Sequence, residues 1–237
     1  MRKILIVISL AFISACGNSK TVTSLTIDAS TIYQDYWVSA SKGADTAVVF
    51  LRDGGPDGKA IELYWNGEIK HNGHVLRRDR RPYAETAAYT AYLQEFDGEN
   101  EFEFTAPGGQ KYVNRISIEP IELRSGRLEL DRKRDIVIEL TRPVKENETI
   151  YTEVVLTARD GFDNSGASGF VKLTDNFAGD RATIVIHPED LADIGWGMGV
   201  VVVRVEAEKP LDEGTSRGGR IRYTFTSEQI QASIQKN

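Results

Sequence analysis

The sequence predicts an all-β protein built from two sandwich-like units, and three observations carry that expectation. Short runs of alternating apolar and polar residues recur roughly every ten residues from Thr46 to Phe225, the spacing of small sandwiches. Clusters of Gly, Asn, Asp and Pro separate these runs and supply the backbone angles that turns need. Helical periodicity is almost absent. Its one clear instance is Pro188-Glu189-Asp190-Leu191-Ala192-Asp193, with Pro in the first position and acids near the positive end of the dipole.

In the first set, residues 47–52 read as a buried strand and residues 53–58 as a turn. Residues 61–65 form a strand that ends on Tyr64 and Trp65, followed by Asn66-Gly67. Residues 68–71, then Asn72-Gly73, then residues 74–77 repeat the pattern. Asn-Gly favours a type I′ turn because both central residues take positive φ, so two such pairs predict a tight meander. Residues 87–93 alternate around Tyr89 and Tyr92. Phe102 and Phe104 keep strict period two, which puts one face in the core and the other in water. Pro107-Gly108-Gly109 turns the chain into a last strand at residues 112–118.

Glu119-Pro120 closes this set, because Pro donates nothing to a ladder and biases its predecessor to extended geometry. Strands follow at residues 136–140, 150–158, 169–173, 182–187, 200–205 and 221–225. The expected units are therefore residues 45–119 and 120–226. A lead-in at residues 16–44 precedes them, with strands at 25–27 and 33–38 left open. A polar tail at residues 227–237 follows, with Ile230 and Ile234 at helical spacing but too short to stand as a helix alone.

Residues 1–15 read as a signal peptide. Arg2 and Lys3 give a positive start, and residues 4–12 form an apolar core far short of the about 20 residues a spanning helix needs. Ile13-Ser14-Ala15-Cys16 follows, and Cys16 is the only cysteine of the chain. This stretch resembles the lipobox of bacterial lipoproteins. The resemblance implies cleavage before Cys16 and acylation of its thiol, with two or three chains where one would hold only marginally. Gly17 stands where an Asp commonly retains such proteins in the inner membrane, so the resemblance implies the outer membrane, facing periplasm or surface.

Removing residues 1–15 takes Arg2 and Lys3 away. It leaves 27 basic against 35 acidic residues, a net charge of −8. An acidic chain of this kind repels nucleic acid, and Arg77-Arg78-Asp79-Arg80-Arg81 is the single basic cluster, expected to be a solvated loop. No second cysteine exists, so stability has to come from apolar cores without disulfides.

The Asn-Gly turns, the Tyr/Phe alternation and the passage from Ile184 through Pro188 to Val203 resemble bacterial envelope lipoproteins with tandem immunoglobulin-like or fibronectin-III-like modules. That resemblance is to an architecture and assigns no activity. Candidate sites come from the residues. His71 and His74 flank Asn72-Gly73, where they would face each other on one side of a hairpin and offer two imidazoles to Zn²⁺ or Cu²⁺; the alternative is a solvated tip. Asp160, Asp163 and Asn164, with Asp175, Asn176 and Asp180, collect the oxygen ligands of a Ca²⁺ site, but lack the EF-hand spacing and read equally as turns. Tyr64 and Trp65 point to opposite faces of one strand, so one is expected in the core and the other free to meet a sugar or a protein. No nucleophile, base and orienter share a motif. The expected function is a membrane-anchored envelope lipoprotein with a binding or structural role toward a protein or glycan partner. No cofactor is expected beyond the lipid on Cys16. The alternative is a carbohydrate-active or other hydrolytic enzyme on the same scaffold.

Overall fold

The computed structural model describes residues 21–64, 66–79, 88–93, 98–157 and 168–235. The N-terminal part contributes β1 (Thr21–Thr23), β2 (Ile32–Ser41), β3 (Ala44–Asp53), β4 (Ala60–Glu62), β5 (Glu68–His71) and β6 (His74–Val75). β7 (Arg77–Arg78), β8 (Ala88–Leu93), β9 (Glu99–Thr105) and β10 (Lys111–Ser117) complete it. The remainder supplies β11 (Arg127–Leu130), β12 (Ile136–Glu139), β13 (Glu148–Thr157), β14 (Ser168–Thr174) and β15 (Thr183–Ile186). It ends with β16 (Gly197–Pro210), β17 (Gly219–Thr226) and β18 (Ile230–Ile234). The expected helical turn is a 3-10 helix, Pro188–Leu191, and the described residues contain one other, Ala29–Thr31. The all-β class read from the alternation is the class observed.

The largest sheet runs β1-β4-β3-β2-β17-β16-β13-β14, with β8 and β7 branching from β3, and β18 and β11 from β16. A second sheet has the order β10-β9-β5-β6, and a third pairs β12 with β15. Period two decides the faces. Ile32, Tyr36 and Val38 on β2, Val49 and Leu51 on β3, Ile221 and Phe225 on β17, Val201, Val203 and Val205 on β16, and Ile150 and Val154 on β13 are all buried. Their sequence neighbours point to the opposite face, where most are half-buried or exposed and Asp35 and Val202 are covered. The Tyr36 ring meets the Phe102 ring of β9 at 4.8 Å, which joins the large sheet to the second. Each aromatic ring so buried stabilises the fold by roughly 1.5–3 kcal/mol. Ile136, Ile138, Ile184 and Ile186 of the third sheet belong to the same core cluster.

Three expectations need correction. The second Asn-Gly makes the predicted turn, with Asn72 at φ 46°, Gly73 at φ 78°, and His71 paired to His74. The first does not. β4 ends at Glu62 and pairs with β1 and β3, whereas β5 pairs with β6 and β9. Asn66 and Gly67 therefore lie on the crossing between two sheets, and Gly67 lacks the positive φ a type I′ turn requires. Ile61 and Ile69 are both buried but on strands of different sheets, and that crossing overrides the local hairpin preference.

The C-terminal segment is not a tail. Ile230, Ala232 and Ile234 fit period two as well as helical spacing, and β18 pairs with β16 and β11, burying Ala232 and Ile234. Residues 32–41, placed in the lead-in with a strand at 33–38 left open, form a central strand. β2 pairs antiparallel with β3 and parallel with β17, from Gln34↔Gly219 to Ser41↔Thr226. The expected division at Glu119-Pro120 falls between β10 and β11, and the large sheet runs across it through this β2–β17 pairing.

Candidate binding face

The sequence candidates occupy separate environments. Cys16, Trp65, Asp160, Asp163 and Asn164 lie outside the described residues. Tyr64 follows the end of β4 and is exposed, its amide donating to Ser24 Oγ at 2.9 Å. His71 is fully buried. Its ring stacks on Phe102 at 4.7 Å, and Nε2 lies 2.8 Å from Asn100 Oδ1, whose own amide donates to Gly98 O. His74 is exposed. Two imidazoles at a solvated tip is therefore the wrong picture for His71: β5 alternates Ile69 and His71 inward, and the ring takes a place in the core. Among the described residues no three His, Cys, Asp or Glu side chains gather as metal ligands.

Asp175, Asn176 and Asp180 serve the chain itself. Asp175 Oδ1 accepts from Ile150 N–H, Asn176 Oδ1 accepts from Thr152 Oγ1, and Asp180 Oδ1 accepts from Ala182 N–H. His187 precedes the 3-10 helix and pairs with Asp135 at 2.9 Å, which raises its pKa above the ordinary imidazole value.

A buried ion pair braces the core side of the sheet. Arg142 donates through Nη1 to Glu148 Oε2 at 2.8 Å and through Nη2 to Oε1 at 3.0 Å, while Tyr223 O–H and Lys145 N–H donate to the same carboxylate. Burial pushes the Glu148 carboxyl up, but these four donors outweigh it and hold it below the usual carboxylate range. Burial and the adjacent carboxylate together push the Tyr223 phenol well above its normal value. All lone pairs facing inward are used, so this group acts as a staple.

The outer face of the large sheet is where side chains converge without being consumed by the core. Register places Trp37 beside Arg222, Arg222 beside Glu208, and Thr224 beside Glu206, which in turn neighbours Thr149 two residues from Tyr151. These residues line a shallow groove of about 360 Å³ across β2, β17, β16 and β13. Arg222 lies over the Trp37 ring at 5.5 Å, and Lys172 over the Tyr151 ring at 3.8 Å. Trp37 Nε1 donates to Thr224 Oγ1 at 3.2 Å. Asp35, on the same face but covered, is held by Arg220 at 3.1 Å and Arg222 at 3.3 Å, and Arg220 also reaches Glu208 at 3.3 Å. Glu206 and Glu208 stand two residues apart on one strand, roughly 7 Å between Cα atoms. They sit side by side on an open surface, whereas a hydrolytic pair flanks its substrate across a cleft.

Sequence reasoning missed this face because its members come from four strands far apart in the chain. Only the outward parity of Trp37 and Tyr151 within alternating runs hinted at it.

No family model matches the sequence, and no curated protein matches it. Among solved structures, the chain is similar to one titled a cytokine receptor complex in crystal form 2, at 12% identity and a TM-score of 0.26, covering 83% of this chain and 99% of that one. It is also similar to the adhesin InvE of Yersinia pseudotuberculosis, at 11% identity and a TM-score of 0.23, covering 83% of this chain and 60% of that one. At these scores neither likeness carries an argument about fold or function.

Proposed function

We propose that this chain is a lipid-anchored protein of the bacterial cell envelope, held in the outer membrane through Cys16, with a binding or structural role toward a protein or glycan partner. The anchor rests on the charged start, the short apolar core and Ile13-Ser14-Ala15-Cys16. The sandwich scaffold is read as immunoglobulin-like, in two units divided near Pro120 that share the β2–β17 pairing and so depend on each other. The observation that carries the binding role is the outer sheet face, where Trp37, Tyr151, Arg222, Glu206 and Glu208 meet around one open groove. Aromatic rings beside paired charges suit recognition of a polar surface, and a shallow groove suits a large partner better than an enclosed small molecule.

Capture from intact envelopes with the full lipidated chain tests this reading. A partner recovered by the wild type and lost with Tyr151→Ser and Glu206→Arg supports it. Recovery that ignores both changes contradicts it. Release of a chromogenic glycoside or ester product that vanishes in Glu206→Gln would favour the hydrolytic alternative instead.

A further inference from the structure

β14 closes one end of the large sheet, and among the described residues it has a single neighbour, β13. The ladder shows which of its backbone groups face away. Asp175 N–H donates to Ile150 O at 2.9 Å, and Ile150 and Asp175 continue the register that pairs Tyr151 with Thr174. Antiparallel pairs alternate between bonded and non-bonded. Val171 and Leu173 therefore bond toward β13, while Phe170, Lys172 and Thr174 direct their N–H and C=O groups outward, away from the sheet. Natural edges of this kind are normally shortened, bulged or guarded by charge. Here the one charged side chain, Lys172, lies back over Tyr151 with Nζ 3.8 Å from the ring centroid, which leaves the edge itself open among the described residues.

The side chains beside this edge are apolar. Phe170 is 59% exposed and pairs across to Val155, which pairs to Val200, and Met198 and Trp196 continue the same end of β16 toward solvent. An exposed apolar stripe that ends on an open strand marks an association surface. We propose that β14 is a self-pairing edge, through which two copies of this chain join antiparallel about a two-fold axis at Val171.

The order of residues along β14 is complementary to itself about that point. Val171 meets Val171 of the second copy. Phe170 lies opposite Lys172 of the second copy, twice over, so that the ring meets the apolar stem of a lysine whose ammonium stays over Tyr151, with no like charges opposed. Gly169, onto which Ile194 packs so closely that a Cβ would meet its Cγ2 at 2.3 Å, faces the large Leu173. The outward groups of Phe170 and Lys172 then bond to one another across the axis, as an isologous contact requires. A lipid surface fits less well. Thr21, the described residue closest in sequence to Cys16, lies on β1 at the opposite end of the strand order, seven strand spacings or about 34 Å away when followed along the sheet.

The test is sedimentation of the full lipidated chain in a density-matched nonionic detergent, with micelles in excess, over a range of concentrations. The wild type is expected to rise from one protein mass to two. Phe170→Pro removes an outward N–H without touching the β13 ladder, a place where an edge strand tolerates Pro. It should abolish the dimer while leaving the melting temperature within a few degrees of wild type. A wild type that stays monomeric overturns the proposal, and so does a dimer that survives Phe170→Pro. Should that variant fail to fold, amide hydrogen exchange on the wild type decides. Protection at Phe170, Lys172 and Thr174 that grows with concentration supports the pairing, and its absence overturns it.

Discussion

Asp35 of β2 and Arg220 of β17 meet at 3.1 Å although 185 residues separate them in the chain. The same junction holds Thr215 Oγ1 donating to Ile32 O at 2.6 Å, and Asn114 Nδ2 donating to Glu213 O at 2.8 Å. Residues on either side of Pro120 therefore share one hydrogen-bonded sheet. Fragments cut there should depend on each other: residues 16–119 would expose the full edge of β2, and the remainder would keep β16 beside β17 but lose β2. Each fragment alone is expected to melt well below the intact protein, and mixing them should restore a single higher transition. Two fragments that each melt at the wild-type temperature, with no shift on mixing, would contradict this interdependence.

Acid sensitivity should trace to Glu148. Its folded pKa is depressed by Arg142, Tyr223 and Lys145 against the opposing effect of burial. A depressed carboxyl contributes stability that is present above its unfolded value, near 4.5, and is lost as pH falls through the folded value. Urea midpoints should therefore fall steeply below about pH 4.5 in the wild type and less steeply in Glu148→Gln. At neutral pH that variant leaves the nearly buried Arg142 with only the more distant, exposed Glu119 carboxylate at 3.8 Å, and should cost about 3 kcal/mol.

The β5–β6 hairpin separates strain from packing. Gly73 sits at φ 78°, and a Cβ added there would meet only open space, so Gly73→Val should cost roughly 1–3 kcal/mol through the backbone alone. His71→Ala empties a core position between Phe102 and Asn100 and should cost about 2–4 kcal/mol. His74→Ala, on the exposed side, should stay within ~0.5 kcal/mol. Chemical denaturation of the three variants checks the order. Equal, negligible costs for both histidines would return His71 to the solvent.

Most strands were legible in the sequence because their alternation is strong: Phe102 and Phe104, or residues 200–205, leave no other period. What escaped was pairing. Ile230 and Ile234 satisfy two periodicities, and only the open side of β16 selects the strand. Asn66-Gly67 carries the same local signal as Asn72-Gly73, yet the layer each flanking isoleucine enters decides against the hairpin. β2 read as a lead-in because its outward residues, Tyr33, Asp35 and Trp37, are large or charged, and their partners on β17 lie at the far end of the chain. The groove was hidden for the same reason: strand neighbours, and not sequence neighbours, bring Trp37, Arg222, Glu208 and Tyr151 together.

The lipid anchor is the central claim, and the mass of the N-terminal peptide of the protein extracted from envelopes tests it most directly. A peptide that begins at Cys16 and carries acyl chains is expected, with Cys16→Ser either released to the soluble fraction or left unprocessed. A mature chain that keeps an unmodified thiol at Cys16, or a Cys16→Ser variant that still needs detergent for extraction after correct processing, would contradict it.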